Sequence, residues 1–230
     1  MTEALCFPSG ELTLVGVLHR GSKLESRASN FELPRPGVVV CHPHPLYGGD
    51  MENNVVVALC RILAGGGLTA LRFNFRGVGR SGGSFGDGLG EREDARAALD
   101  FLAGAEGVDD ERLALAGYSF GALVALTTMD ERARPSDRRV RAVVAVSLPA
   151  GGTDIGSVRQ GAPTLLISGD RDNIAPAARL TEMAASLQLL PPKDEVRSVA
   201  GADHFWWGHE EALGAIVLEF LRARLLPGEP

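Results

Sequence analysis

The five residues Gly117-Tyr118-Ser119-Phe120-Gly121 set a potential nucleophile between two apolar runs, Leu113-Ala114-Leu115-Ala116 before it and Ala122-Leu123-Val124-Ala125-Leu126 after it. The first run has the length and composition of a buried strand, and the second begins an apolar helix. A strand-to-helix turn with serine at its apex is the form of a nucleophile elbow. The flanking glycines carry no Cβ to crowd a serine in a strained backbone conformation, and such strain persists only where the surrounding structure enforces it. Ser119 as a plain N-cap of a core helix is the alternative reading.

A serine alkoxide is inaccessible near neutral pH. Attack by Ser119 therefore requires a base within hydrogen-bond reach and a carboxylate to orient that base. Two downstream segments offer them, Gly169-Asp170-Arg171-Asp172-Asn173-Ile174-Ala175-Pro176 and Gly201-Ala202-Asp203-His204-Phe205. Each follows a strand-like run, which puts both in loops at the carboxyl ends of parallel strands, where open α/β sheets hold ligands. His204 is the candidate base, with His209 at a helix start as its rival. Asp172 and Asp170 compete for the carboxylate role, and the one not used there is suited to capping the turn.

The elements that must position these groups alternate along the chain, short β-like runs with helical stretches. That pattern predicts a doubly wound, mostly parallel sheet with helices on both faces. Leu12 to Leu18 alternates enough to be a half-exposed early strand, antiparallel to a short one near Leu5. Buried parallel strands are expected at Val38–Cys41, Thr69–Phe73, Leu113–Ala116, Arg141–Val146 and Thr164–Ser168, with a last one near Val196–Val199. Helices are expected over Asn53–Leu63, Glu91–Leu102, Phe120–Met129, Ala177–Leu187 and Glu210–Leu225. Segment 20–36 reads as a surface connector, and segment 147–163 is too short for a helical lid. An open site is expected.

The 230 residues suit one domain over 1–230, and 45% hydrophobic content with 29 glycines suits a globular enzyme. The net charge of −6 is spread without a block of like charge, which argues against a nucleic-acid or membrane-surface partner and for a small-molecule substrate. No run approaches the roughly 18 apolar residues of a membrane span, and the first residues do not resemble a secretory leader. A cytoplasmic location is expected. The three cysteines, Cys6, Cys41 and Cys60, have no metal-ligand spacing and read as small buried hydrophobes. Cys41, beside a site loop, is an alternative nucleophile that lacks an activating elbow.

Taken together, these segments resemble the α/β-hydrolases, over nearly all of the chain from about residue 12 to residue 225. Beyond the elbow, the likeness rests on His42-Pro43-His44-Pro45 with Tyr47-Gly48-Gly49, on Arg72-Phe73-Asn74-Phe75-Arg76-Gly77-Val78-Gly79-Arg80-Ser81, and on the two loops quoted above. The chain order Ser, Asp, His is that family's order. The subgroup it is most similar to is small, lidless and bacterial, related to dienelactone hydrolases and short-chain carboxylesterases. Serine in place of the cysteine usual in dienelactone hydrolases implies ordinary esterase chemistry. The resemblance implies Ser119 as nucleophile, His204 as base and Asp172 as acid. It implies an oxyanion hole from the Phe120 N–H and one donor in the loop after Val38–Cys41. Pro43 and Pro45 have no N–H there, which leaves His44 first and Leu46 second. No cofactor or metal is implied. An acyl-CoA thioesterase or a lactone hydrolase would use the same apparatus, and a non-catalytic binding protein would not require all three triad members.

Several other patterns invite different chemistry. Gly77-Val78-Gly79-Arg80-Ser81-Gly82 matches a dinucleotide fingerprint, yet glycines continue to Gly90 and delay the helix whose N-terminus would meet a pyrophosphate. His42 and His44 could share a metal with Asp50 or His204, although no third ligand has recognisable spacing. Arg132, Arg134, Arg138, Arg139 and Arg141 could meet coenzyme A phosphates or form a solvated connector offset by Asp130, Glu131 and Asp137. Trp206 and Trp207 are expected to line an acyl or alcohol pocket or to pack in the core.

Overall fold

Side-chain alternation decides the layering. In the strand Arg35–Cys41 (β3), Val39 and Cys41 face one hydrophobic cluster while Val38 and Val40 face the other. The strand Val108–Tyr118 (β5) repeats this, with Leu113 and Leu115 on the first face and Ala114, Ala116 and Tyr118 on the second. A strand buried on both faces needs a helical layer on each side, and the chain supplies both. The computed structural model describes residues 1–22, 34–130, 137–149, 155, 158 and 161–226. Arg132, Arg134, most of the connector 20–36 and part of segment 147–163 lie outside the described residues.

The remaining strands are Thr2–Ser9 (β1), Leu12–His19 (β2), Thr69–Phe73 (β4), Val140–Val146 (β6), Thr164–Gly169 (β7) and Glu195–Val199 (β8). They form one eight-stranded sheet in the order β1-β2-β4-β3-β5-β6-β7-β8. β1 and β2 pair antiparallel, as does β2 with β4, and every other pair is parallel. Helices Asn54–Gly65 (α1) and Glu210–Leu225 (α5) cover one face through Val55, Leu59, Leu63, Leu213, Val217 and Phe220. Helices Leu89–Ala103 (α2), Phe120–Thr128 (α3) and Leu180–Ser186 (α4) cover the other through Ala95, Leu99, Leu102, Val124, Leu180 and Met183. Each such large side chain contributes on the order of 1.5–3 kcal/mol by leaving water.

Beyond shifts of one to three residues at element ends, among them β3 starting at Arg35 instead of Val38, two elements differ from the sequence expectation. β5 begins at Val108 rather than Leu113, because the polar stretch pairs its backbone with β3, and strand pairing does not require apolar side chains. The helix expected from Ala177 is divided: a 3-10 turn at Ala177–Arg179, closed by the Arg179 N–H on the Pro176 carbonyl at 2.8 Å, precedes α4. Neither change moves the carboxyl ends of β5, β7 and β8, where the candidate residues lie.

Candidate active site

β5 ends at Tyr118 and α3 starts at Phe120, so Ser119 occupies the joint alone. Its backbone stands at φ 56°, ψ −119°, a conformation unfavourable for a residue with a Cβ. The Ser119 N–H is held by the Val146 carbonyl of β6 at 2.9 Å, and its own carbonyl accepts from the Ala122 N–H at 2.9 Å. A Cβ at Gly121 would collide with the carbonyl oxygens of Cys41 and His42. Glycine there lets the start of α3 lie directly against the end of β3.

His204 Nε2 lies 3.1 Å from Ser119 Oγ, and Nδ1 lies 3.0 and 2.9 Å from the two Asp172 carboxylate oxygens. Asp172 Oδ1 also accepts the N–H groups of Ile174 at 2.9 Å and Ala175 at 2.7 Å, an Asx turn that fixes the carboxylate plane. Burial opposes ionisation of Asp172, but hydrogen bonds from His204, Ala175 and Ser147 outweigh it and hold the carboxyl below its ordinary range. Asp170 turns elsewhere: its Oδ1 accepts the Gly201 N–H at 2.7 Å and ties the loop after β7 to the loop after β8. A Cβ at Gly169 would strike the Ala202 carbonyl, so the same two loops touch at the backbone as well. His209 stands at the start of α5, its N–H on the Trp206 carbonyl at 2.8 Å.

Four side chains to which sequence reasoning gave no role at the triad hold this group from behind. The Tyr118 hydroxyl donates to the His204 carbonyl at 2.6 Å. Trp206 Nε1–H donates to Ser147 Oγ at 3.0 Å, the Ser147 hydroxyl helps hold Asp172 ionised, and Ser168 Oγ donates to Asp172 Oδ2 at 3.4 Å. Ser147 follows β6 with φ 49° and is fully buried. Its position at the carboxyl end of a central strand was the available signal. Of the two tryptophans, Trp206 is wholly buried and packs in the core, Trp207 is 69% exposed, and neither lines the cavity. Phe205 does.

That cavity, about 790 Å³, opens above Ser119 between Tyr118, Ile174, His204 and Phe205 on one side and His44, Tyr47, Phe85 and Phe120 on the other. Phe120 is the first residue of α3, so its N–H has no acceptor within the helix. In the loop after β3 the Leu46 N–H is engaged by His44 Nδ1 at 3.2 Å, while the His44 carbonyl takes the N–H groups of Tyr47 and Gly49. His42 is sealed beneath, its Nδ1 donating to the Pro43 carbonyl at 2.6 Å and its Nε2 accepting the Phe75 N–H at 3.0 Å. Burial lowers its pKa to about 4. Cys41 is likewise buried, which pushes its thiol well above the ordinary range. Among the described residues no three His, Cys, Asp or Glu side chains gather as metal ligands.

The glycine-rich stretch after β4 has a different use from phosphate binding. Two of its N–H groups, at Gly86 and Gly88, point at the protein's own Glu91 carboxylate, at 2.9 and 2.8 Å. Buried Asp94 accepts from Arg76 N, Nε and Nη2 and from Ser9 Oγ at 2.7–3.0 Å. The loop so fixed carries Phe85 and Asp87 to the cavity wall. Arg139 and Arg141 stand at the amino end of β6, remote from Ser119, and pair with Asp100, Asp137 and Glu111.

Comparison with known proteins agrees with this architecture. No family model matches the chain. An uncharacterized protein of Rickettsia prowazekii is 34% identical over 206 residues, covering 86% of this chain and 84% of the relative. An α/β serine hydrolase homologue from Coxiella burnetii superposes with a TM-score of 0.79 at 30% identity, over 94% of this chain and 96% of its own. A Xanthomonas campestris α/β serine hydrolase without a lid gives the same TM-score and identity over 100% and 97%. The chain belongs to the α/β-hydrolase superfamily. As in the lidless hydrolases it resembles, the sheet is mostly parallel with helices on both faces, and the candidate residues of this α/β-hydrolase all stand on loops at one end of that sheet.

Proposed function

We propose that this α/β-hydrolase is a serine carboxylesterase acting on small, neutral esters. The observation that carries the reading is the unbroken hydrogen-bond chain from Ser119 Oγ through His204 to Asp172, opening into a cavity. Ser119 attacks the ester carbonyl as His204 Nε2 takes its proton, and Asp172 holds the tautomer and stabilises the imidazolium. The Phe120 and His44 N–H groups stabilise the oxyanion of the tetrahedral intermediate. Collapse breaks the bond to the alcohol oxygen, to which His204 returns the proton. Water, deprotonated by His204, then cleaves the acyl-enzyme and restores Ser119. No cofactor enters the scheme.

An acyl-CoA thioester is less favoured because, among the described residues, no lysine or arginine lines the cavity to meet its phosphates. A purely binding role does not call for Ser119, His204 and Asp172 in one chain. The three cysteines stand free and no described helix is long and apolar enough to cross a membrane. A cytoplasmic enzyme with a soluble substrate fits both. Initial rates on 4-nitrophenyl esters of increasing acyl length, beside acyl-CoA thioesters and simple lactones, test the reading. Soluble short-chain esters should be turned over fastest, and a faster rate on long-chain emulsions or on thioesters would overturn it.

A further inference from the structure

Two groups of rings flank Ser119. In the first, the His44 centroid lies 4.8 Å from Tyr47, 5.0 Å from Phe85 and 4.7 Å from Phe120, and Phe85 lies 5.8 Å from Phe120. The planes in these pairs are tilted by 40–54°. In the second, His204 lies 5.5 Å from Tyr118 and 5.9 Å from Phe205. No ring contact joins the two groups among the described residues, and all seven residues line the one cavity.

Ester cleavage assigns the two sides different work. The alcohol oxygen has to leave within proton reach of His204 Nε2, which puts the alcohol part with Tyr118 and Phe205. The acyl part then faces His44, Tyr47, Phe85 and Phe120. A flat ring meets that tilted wall with both edge and face contacts, which stabilise beyond the area they cover. A flexible alkyl chain would lose rotamer freedom there, a loss that an open, unlidded wall does little to offset. The wall is also preformed, since Phe85 rides on the loop fixed by Asp94 and Glu91. Its one formal charge among the described residues is Asp87, exposed at φ 51°, whose carboxylate has no partner among them. An anionic acyl group meets repulsion there and no counter-ion among the described residues.

Resting on the esterase reading above, we propose that the site selects esters of uncharged aromatic acids, with the acyl ring packed on His44, Tyr47, Phe85 and Phe120. The test compares kcat/KM for methyl phenylacetate, its isomer benzyl acetate, and methyl hexanoate. The phenylacetate should exceed both others by about tenfold or more. Phe85→Leu and Tyr47→Leu, at partly and largely exposed positions, should shrink that preference to about threefold or less. Monomethyl terephthalate should react at least about tenfold more slowly than dimethyl terephthalate, and Asp87→Asn should narrow this gap. A hexanoate rate equal to or above the phenylacetate rate, or preferences unchanged in these variants, overturns the inference. Counting reactive Ser119 with a fluorophosphonate in every sample separates the two levels. A labelled enzyme with no aryl preference sinks only the selectivity, whereas an unlabelled protein inert to all these esters sinks the esterase reading with it.

Discussion

The loops after β7 and β8 and the loops after β3 and β4 meet at the same serine but are held by different forces. On the first side polar groups are tied to one another: Trp206 to Ser147, Ser168 and His204 to Asp172, and the His204 carbonyl to Tyr118. On the second the cavity surface is rings, and the hydrogen bonds that fix it lie behind, at Asp94 and Glu91. A network of directed bonds holds atoms to a few tenths of an ångström, which proton transfer requires. A wall of rings tolerates lateral shifts, which suits binding. Substitutions on the first side should therefore act on kcat and those on the second on substrate preference.

The largest effect expected separates the two aspartates of one loop. Asp172→Asn should favour the wrong imidazole tautomer and cost on the order of 10⁴ in kcat, as loss of the triad carboxylate does in serine proteases. Asp170→Asn weakens the acceptor for the Gly201 N–H and should stay within about tenfold. Measured kcat with circular dichroism of both variants checks this, and the reverse ranking would move the acid role to Asp170.

Much of this was legible in the sequence because it is local. The elbow, the two acid- and base-bearing loops and the alternating elements each announce themselves within a few residues. What the sequence left open depends on which way a turn faces. Only the family resemblance favours Asp172 over Asp170, since the chemistry of two aspartates in one loop does not itself report whether His204 or Gly201 is the partner. Trp206 and Trp207 look equivalent in a string, yet a φ of 61° at Trp206 sends one indole inward to Ser147 and leaves the other in solvent. The glycines from Gly77 to Gly90 resemble an anion cradle until Glu91 is seen to fill it with its own carboxylate.

A middle-sized effect probes the network behind the acid. Ser147→Ala removes the acceptor of Trp206 Nε1–H and a hydroxyl that helps hold Asp172 ionised, and should lower kcat by about tenfold, or about 1.4 kcal/mol in barrier, with KM little changed. Trp206→Phe leaves the Ser147 hydroxyl in place and should cost less. Equal loss in KM and none in kcat would place Ser147 outside the positioning of the acid.

The smallest effect uses pH to set the two sides apart. The imidazole of His42 takes a proton near its ordinary value of 6.5 in the unfolded chain but only near 4 in the fold, where burial disfavours the charge. Between those values the unfolded chain binds the extra proton, so stability is lost as pH falls from about 6.5 towards 4. Asp172, held low by its partners, keeps its contribution until more acid pH. Hydrogen exchange at pH 7 and pH 5 should therefore loosen residues 42–53 before residues 170–175 and 201–206. Loosening in the opposite order would contradict the assignment.

The central claim is that Ser119, activated by His204, forms a covalent intermediate. Intact-mass and peptide mass spectrometry after reaction with a fluorophosphonate tests it most directly. The account predicts one adduct per chain, on the peptide containing Ser119, and none on Ser119→Ala. An adduct that survives in Ser119→Ala, or one carried by a different residue of the native chain, would contradict it.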